Sequence, residues 1–437
     1  MIHIVGGGLA GSECAYYLAE QGMEVTLYEM RPQKTTEAHN TAGLAELICS
    51  NSLRSDELAT GPGLLKAELS DMGSLVMQAA RRTQVPAGKA LAVNREQFSS
   101  FITEKIENHP QITLVRREVS SLGDPELKNA KYVVLASGPL TSESLSREIA
   151  NILGEEHLYF YDAIAPVIHA ESVNMGKAFW GARYLPENSD YLNCPFNEDE
   201  YSRFCDALLA GEKTPAREFE KEIHFEGCMP IETMAERGAM TLAFGPFKPV
   251  GFIDPHTGKR PFAIMQLRAE DVNKTMFNLV GCQTKLTYPE QARIFRMVPG
   301  LEEVEFVRFG SMHRNTYVNA PAALASDLSI KVRPNVFLAG QITGVEGYIE
   351  SAACGLWLGM LLAAKEKELV LVPPPLETAL GGLLNHLRTP GKNFQPSNIH
   401  FGLLPELGKK MRKAERKAAY AERARESFAG WLAKLPL

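Results

Sequence analysis

Two kinds of residue in this chain are suited to chemistry: a cluster of glycines near its start and a few cysteines. Gly6-x-Gly8-x-x-Gly11 stands between an apolar run, Ile2–Val5, and helix-forming residues from Ala10 to Gln21. Glu29 follows 18 residues after Gly11. Each position answers a need of dinucleotide binding. Gly6 permits the tight turn, Gly8 lets the backbone approach a pyrophosphate, and Gly11 allows helix and strand to pack closely. The free N–H groups of the helix start, around Gly7, Leu9 and Ala10, then face the phosphate, whose charge the helix dipole favours. Glu29 is placed to hydrogen-bond a ribose hydroxyl.

Cys49 lies in Glu46-Leu47-Ile48-Cys49-Ser50-Asn51-Ser52-Leu53-Arg54, where Ser50, Asn51 and Arg54 supply polar donors. Cys228 precedes Met229-Pro230-Ile231-Glu232. Proline at a first helical position with glutamate soon after marks a helix start, which puts Cys228 at or just before a helix N-terminus. Partial positive charge there favours the thiolate, the nucleophilic form. Against this stands the ordinary role of a cysteine as a small buried hydrophobe. Cys14 and Cys354 read as core, and nothing lifts Cys194, Cys205 or Cys282 above that role.

The elements that must position these groups are strands of one sheet. Besides Ile2–Val5 they are Glu24–Tyr28, Tyr132–Ala136, which ends in Ser137-Gly138, and Asn335–Ala339, which ends in Gly340-Gln341. An apolar helix, Ser351–Ala364, follows the last. The intervening 155–320 region has short strands, many Pro and Gly, and charged loops. The expected class is α/β: a Rossmann-like FAD-binding domain of the glutathione-reductase type, carrying an inserted α+β domain. Residues 1–155 and 321–437 form the FAD-binding domain and 156–320 the inserted substrate domain. The turns after Ala136 and Ala339 look like the extra strand-end turns of two-domain flavoproteins. With one fingerprint, one dinucleotide is held tightly, and a resident flavin with a transient reductant fits better than NAD.

The chain has 437 residues, enough for two or three domains, and no apolar run approaching the roughly 18 residues of a membrane span. No basic stretch precedes Ile2, and the seven cysteines form neither a C-x-x-C pair nor a zinc spacing. A reducing cytoplasm and no metal are expected. Net charge is −6, which argues against bulk nucleic-acid affinity but leaves room for a local basic patch. One such patch is 409–425, eight bases against two acids, including Lys409, Lys410, Arg412, Lys413, Arg416 and Lys417. Leu407, Met411, Ala418, Phe428, Trp431, Leu432 and Leu435 supply an apolar stripe beside it. The segment reads as a solvated helix face, as a phosphate-contacting patch, or as a membrane-surface helix. Lys248, His256, Lys259, Arg260 and Arg268 form a looser second cluster.

The chain resembles the bacterial folate- and FAD-dependent tRNA uracil-5-methyltransferases, the TrmFO family, over essentially its whole length. The resemblance rests on Gly6–Glu13, Glu46–Arg54, Phe225–Glu232, Met234–Gly238, Ala339–Tyr348 and Phe394–Pro405 occurring in this order. It implies methylation of a T-loop uridine of tRNA to ribothymidine, with carbon from methylenetetrahydrofolate and electrons from reduced FAD, regenerated by NADPH or NADH. It implies Cys228 as the nucleophile toward uracil, Cys49 as a thiol near the flavin, and Gly344 among the cofactor-binding residues. The basic C-terminal segment becomes a tRNA contact, and no protein partner is implied. In the family pattern an aromatic residue often precedes Ala-Glu-Leu of the Cys49 loop; here it is Leu44. The alternative is the GidA/MnmG type of flavoprotein, which modifies wobble uridines, shares the fold and is much longer.

Overall fold

The computed structural model describes residues 1–36, 38–154, 158–163, 165–183, 190–214, 229–390, 394–408 and 411–436. Strand β1 (Ile2–Val5) is wholly buried, helix α1 (Leu9–Glu20) follows the glycine turn, and β2 (Val25–Glu29) is again buried throughout. Continuous apolar runs of this kind suit a parallel sheet covered on both faces. The sheet has six strands in the order Ser329–Ile330, Arg333–Leu338, Tyr132–Leu135, β1, β2, Ile112–Arg116. All pairs are parallel except the Ser329–Ile330 edge. The four strands expected to share a sheet do so, and Ile112–Arg116 joins them. From β1 the chain adds β2 and Ile112–Arg116 on one side, then crosses to add Tyr132–Leu135 and Arg333–Leu338 on the other, so the strand order reverses at β1. This is the crevice where open α/β sheets bind ligands, outside the carboxyl ends of the strands.

Helix Tyr348–Glu366 packs across α1 at very close range. A Cβ at Gly355 would lie 2.2 Å from the Ala10 carbonyl oxygen, so only glycine allows that approach. Cys14 and Cys354 are fully buried between these helices, as core cysteines. The Tyr348–Glu366 helix is apolar because it is a core element. No helix of the described residues is long and apolar enough to cross a membrane.

A second six-stranded sheet is antiparallel, in the order Phe179–Gly181, Tyr191–Phe196, Ala263–Ala269, Met276–Leu279, Val167–His169, Phe306–Arg308. It has its own apolar core, in which Cys194, Cys205 and Cys282 are buried. An antiparallel ribbon, Leu158–Ala163 with Met312–Tyr317, lies beside the two points where the chain passes between the sheets. A small third sheet, Ser52–Ser55, Ala90–Val93 and Gln84–Val85, follows the Cys49 loop. Lys66, fully buried, donates to the carbonyls of Leu53 (2.9 Å) and Ser55 (2.6 Å) and so fixes the strand that leaves that loop.

The C-terminal helix, Lys413–Leu432, docks through Ala421, Ala424, Phe428 and Trp431, and Trp431 Nε1 donates to Val372 O at 2.9 Å. The buried stripe therefore differs from the one expected: Met411 and Ala418 are exposed. Residues 421, 424, 428 and 431 sit at true helical spacing, whereas the earlier set began before the helix does.

Candidate active site

The glycine turn is built as its spacing requires. Gly6 has φ +109°, and a Cβ there would strike the Ala136 carbonyl oxygen at 2.4 Å. A Cβ at Gly11 would lie 1.9 Å from the Gly6 carbonyl oxygen, so Gly11 serves packing and does not touch ligand space. A Cβ at Gly8 would meet nothing within 4 Å. Gly8 instead opens into a cavity of about 390 Å³ along the carboxyl ends of the parallel strands. Gly6, Gly7, Gly8, Leu9, Ala10, Glu29, Ser137, Gly138, Gly340 and Gln341 all line it. Helix α1 has no side-chain N-cap bond and no acid in its first turn, so its first-turn N–H groups and positive end meet the cavity, although Gly7 N, just before the helix, is already bonded to Glu29. That environment fits a pyrophosphate.

Glu29 is more committed than a ribose ligand needs to be. Its Oε2 accepts from Gly7 N (3.0 Å) and Arg31 Nη2 (3.2 Å), and Oε1 accepts from Arg31 N (3.0 Å) and Nε (2.9 Å). Burial pushes this carboxyl up, but the Arg31 guanidinium and the two N–H donors outweigh it and hold Glu29 below the usual carboxylate range. Arg31 also pairs with Glu46 at 2.9 Å, which ties the glycine turn to the start of the Cys49 loop. Leu44, where the family pattern often has an aromatic, is buried against Gly7.

Cys49 lines the same cavity as the glycine turn. Its Sγ lies 2.8 Å from the hydroxyl of Tyr348, at the start of the Tyr348–Glu366 helix. That hydroxyl also accepts from Cys49 N (2.8 Å) and Ser50 N (3.2 Å). A phenol has one proton and two lone pairs. The two N–H groups fill the lone pairs, so the phenol proton points at sulfur and Cys49 Sγ is the acceptor. Burial, and then the neighbouring Cys49, push the Tyr348 hydroxyl well above its ordinary range, so it keeps this proton. Asn315 also lines the cavity, with its Nδ2 buried and unpartnered among the described residues. An orphaned donor costs ~1–3 kcal/mol, which a polar ring edge arriving in the cavity would relieve.

Three expectations are corrected. Asn51 and Arg54 do not serve Cys49: Asn51 Nδ2 donates to Val93 O (3.1 Å) and Ala269 O (3.0 Å), and Arg54 pairs with Glu350 at 3.3 Å. Gly344 is not a cavity residue. It has φ +95°, and a Cβ there would lie 2.4 Å from the Phe394 ring, so it is glycine for packing. Arg268 belongs to no surface cluster with Lys248, His256, Lys259 and Arg260; it is buried and reaches the Cys49 loop. Cys228, Lys409 and Lys410 lie outside the described residues, as does the side chain of Lys413. Pro230 is the N-cap of helix Ile231–Glu236 rather than its first residue. Arg412, Arg416 and Lys417 are exposed.

Sequence reasoning gave no role to Tyr348, Arg95, Glu270 or Arg308, and gave Arg268 only a place in a basic cluster. Arg95 makes a two-pronged pair with Glu270 (2.7 and 3.0 Å) and donates to Leu47 O (2.9 Å) and Ile48 O (3.2 Å). Arg308 donates to Ile48 O at 3.2 Å. The available signal was polar Gln266 and Arg268 two apart in the apolar run 263–269, which a wholly buried strand would not carry without a reason.

The family model described as "Glucose inhibited division protein A" matches residues 1–369. Curated relatives named "Methylenetetrahydrofolate–tRNA-(uracil-5-)-methyltransferase TrmFO" match nearly end to end. That of Oleidesulfovibrio alaskensis is 64% identical over 99% of this chain and 97% of its own. That of Geobacter sulfurreducens is 55% identical over 99% of both, and that of Aquifex aeolicus 54% identical over 98% and 96%. Among solved structures, Aquifex aeolicus GidA superposes with a TM-score of 0.69 over 98% of this chain and 76% of that one, at 16% identity. That likeness speaks to the fold alone. The identity over nearly its full length places the chain in the TrmFO family, within the broader GidA family.

Proposed function

We infer that this chain methylates carbon 5 of a uridine in tRNA, using methylenetetrahydrofolate as carbon donor and FAD as redox cofactor. The observation that carries the reading is that Cys49 and the dinucleotide-binding glycine turn face one cavity. Gly6–Ala10 and the start of α1 would hold the FAD pyrophosphate, and Glu29 the adenosine ribose once part of its Arg31 bonding is shared. We further propose that the target lies in the T-loop, that NADPH or NADH is the reductant, and that residues 156–320 form the substrate domain.

The chemistry explains the parts. Carbon 5 of uracil is a weak nucleophile. A thiolate adding to carbon 6 turns the ring into an enolate whose carbon 5 can attack a one-carbon electrophile. Cys228 is proposed for that addition. Loss of the carbon 5 proton breaks the bond from the transferred carbon to the folate amine, which leaves as tetrahydrofolate, and makes an exocyclic methylene. Hydride addition to that methylene expels the thiolate from carbon 6 and restores the ring. The donor carbon arrives at the formaldehyde level, so two electrons and a proton are still needed to make a methyl group. Reduced FAD, when bound, supplies the hydride. Cys49, held against the Tyr348 proton, is proposed as the thiol or base beside it. Arg412, Arg416 and Lys417, with Lys409, Lys410 and Lys413, are proposed to hold tRNA phosphates, a contact that positions without reading sequence.

The test is to incubate the flavin-loaded protein with ring-unmodified tRNA, NADPH and methylene-labelled methylenetetrahydrofolate. Label in 5-methyluridine of the T-loop is expected. A reduced, folate-supplied enzyme that leaves tRNA unlabelled would overturn the reading.

A further inference from the structure

Arg268 lies in the Ala263–Ala269 strand of the second sheet, far in sequence from the Cys49 loop. It is fully engaged with that loop: Nη2 donates to Ser50 Oγ at 2.7 Å and Nε to Asn51 Oδ1 at 2.8 Å. The next residue continues the contact, since Ala269 O accepts from Asn51 Nδ2 at 3.0 Å. The residue after that, Glu270, pairs with Arg95, which in turn holds the carbonyls of Leu47 and Ile48. Three consecutive residues, the last two of one strand and the residue that follows it, thus grip the loop on both sides of Cys49, the third through Arg95.

The grip is costly. Arg268 is only 7% exposed, and the groups it bonds are neutral: Ser50, Asn51 and, at 3.5 Å, Asn278, with the Tyr191 hydroxyl beside them. A buried guanidinium met by neutral partners gains less than one met by a carboxylate. The nearby carboxylate, Glu270, is already paired with Arg95. If the strand served only to pack, an apolar residue of similar volume would serve better.

We propose that Arg268 is a positioning residue for the reaction: it sets the Ser50–Asn51 backbone and thereby aims the Cys49 thiol along the cavity at the Tyr348 hydroxyl. The second sheet, through this residue, fixes the geometry of a thiol carried by the first domain. The inference rests on Cys49 taking part in the reaction proposed above.

The test uses flavin-loaded enzyme with Arg268→Gln, Ser50→Ala and the double variant. Two readings are taken: amide hydrogen exchange of the peptide spanning 47–53, and the steady-state constants for tRNA. Arg268→Gln is expected to speed exchange in that peptide by about tenfold and to lower kcat by about 10- to 100-fold, the usual cost of a small misplacement. KM for tRNA and flavin content stay within twofold of wild type. Ser50→Ala gives a smaller loss of the same kind, and the double variant loses less than the sum of the two, because the Arg268–Ser50 bond is already gone in either single variant. Should Arg268→Gln fail to fold, Ser50→Ala alone decides: unchanged exchange and kcat overturn the proposal. Additive losses, or a loss in KM alone, also overturn it. The exchange reading needs neither tRNA nor folate, so its failure is distinct from failure of the methylation assignment.

Discussion

Replacing Gly8 by alanine separates cofactor binding from folding. Gly8 is the N-cap of α1 with φ −75° and ψ −168°, extended backbone that any residue adopts. A Cβ there meets no protein atom within 4 Å. The apoprotein therefore loses nothing by the change, and a narrower unfolded ensemble adds about 0.4–1 kcal/mol of stability. The same methyl group stands where a phosphate must come within about 3 Å of the backbone N–H groups. Losing two such charge-assisted bonds, at about 1.5 kcal/mol or more each, weakens FAD about 100-fold or more. Gly11→Ala is the contrast. Its Cβ would sit 1.9 Å from the Gly6 carbonyl oxygen, so backbone must move and the fold itself loses about 1–3 kcal/mol or more. Calorimetric titration of each apoprotein with FAD, beside its thermal midpoint, separates the two effects. A Gly8→Ala protein that binds FAD at wild-type affinity would refute the assignment of the turn to the pyrophosphate.

Cys228→Ala should retain full flavin absorbance and lose methyl transfer by about 10³-fold or more; single-turnover labelling measures it, and near-normal turnover would remove Cys228 from the mechanism. Reversing Arg412, Arg416 and Lys417 to glutamate should leave the thermal midpoint unchanged, since the side chains are exposed. It should flatten the salt dependence of tRNA binding by about 2–3 in logarithmic slope, read by filter binding over a salt series. Glu13 and Glu68 are buried, and burial pushes them up to about 7 and about 8. A carboxyl raised on folding contributes stability that is complete below its unfolded value and is lost as pH rises from there through the folded one. Thermal midpoints should fall between pH 5 and 9, each group contributing up to about 3–5 kcal/mol, and Glu68→Gln should flatten the fall above pH 7.

The first domain was legible because its signals are local. Gly6 is demanded by its own φ of +109° and Gly11 by backbone five residues away, and buried parallel strands are apolar without interruption. The cavity's cofactor end followed from those signals. The thiol end did not, because it is assembled from distant segments. Tyr348 reaches Cys49, and Arg95 and Arg268 its loop neighbours, from three separate regions of the chain, and nothing beside Cys49 announces them. Gly344 shows that a motif glycine has more than one possible reason: in the structure the Phe394 ring, also in a motif, is what requires it. The basic C-terminal segment was recognised by charge, but its buried face became clear only once helix Lys413–Leu432 had a defined start.

The most direct measurement of the central claim is the rate at which iodoacetamide labels Cys49, followed by peptide mass spectrometry, as apoprotein is titrated with FAD. If one cavity holds both the flavin and the thiol, labelling slows by about tenfold or more and saturates at one FAD per chain. Equal labelling rates with and without bound FAD would contradict it.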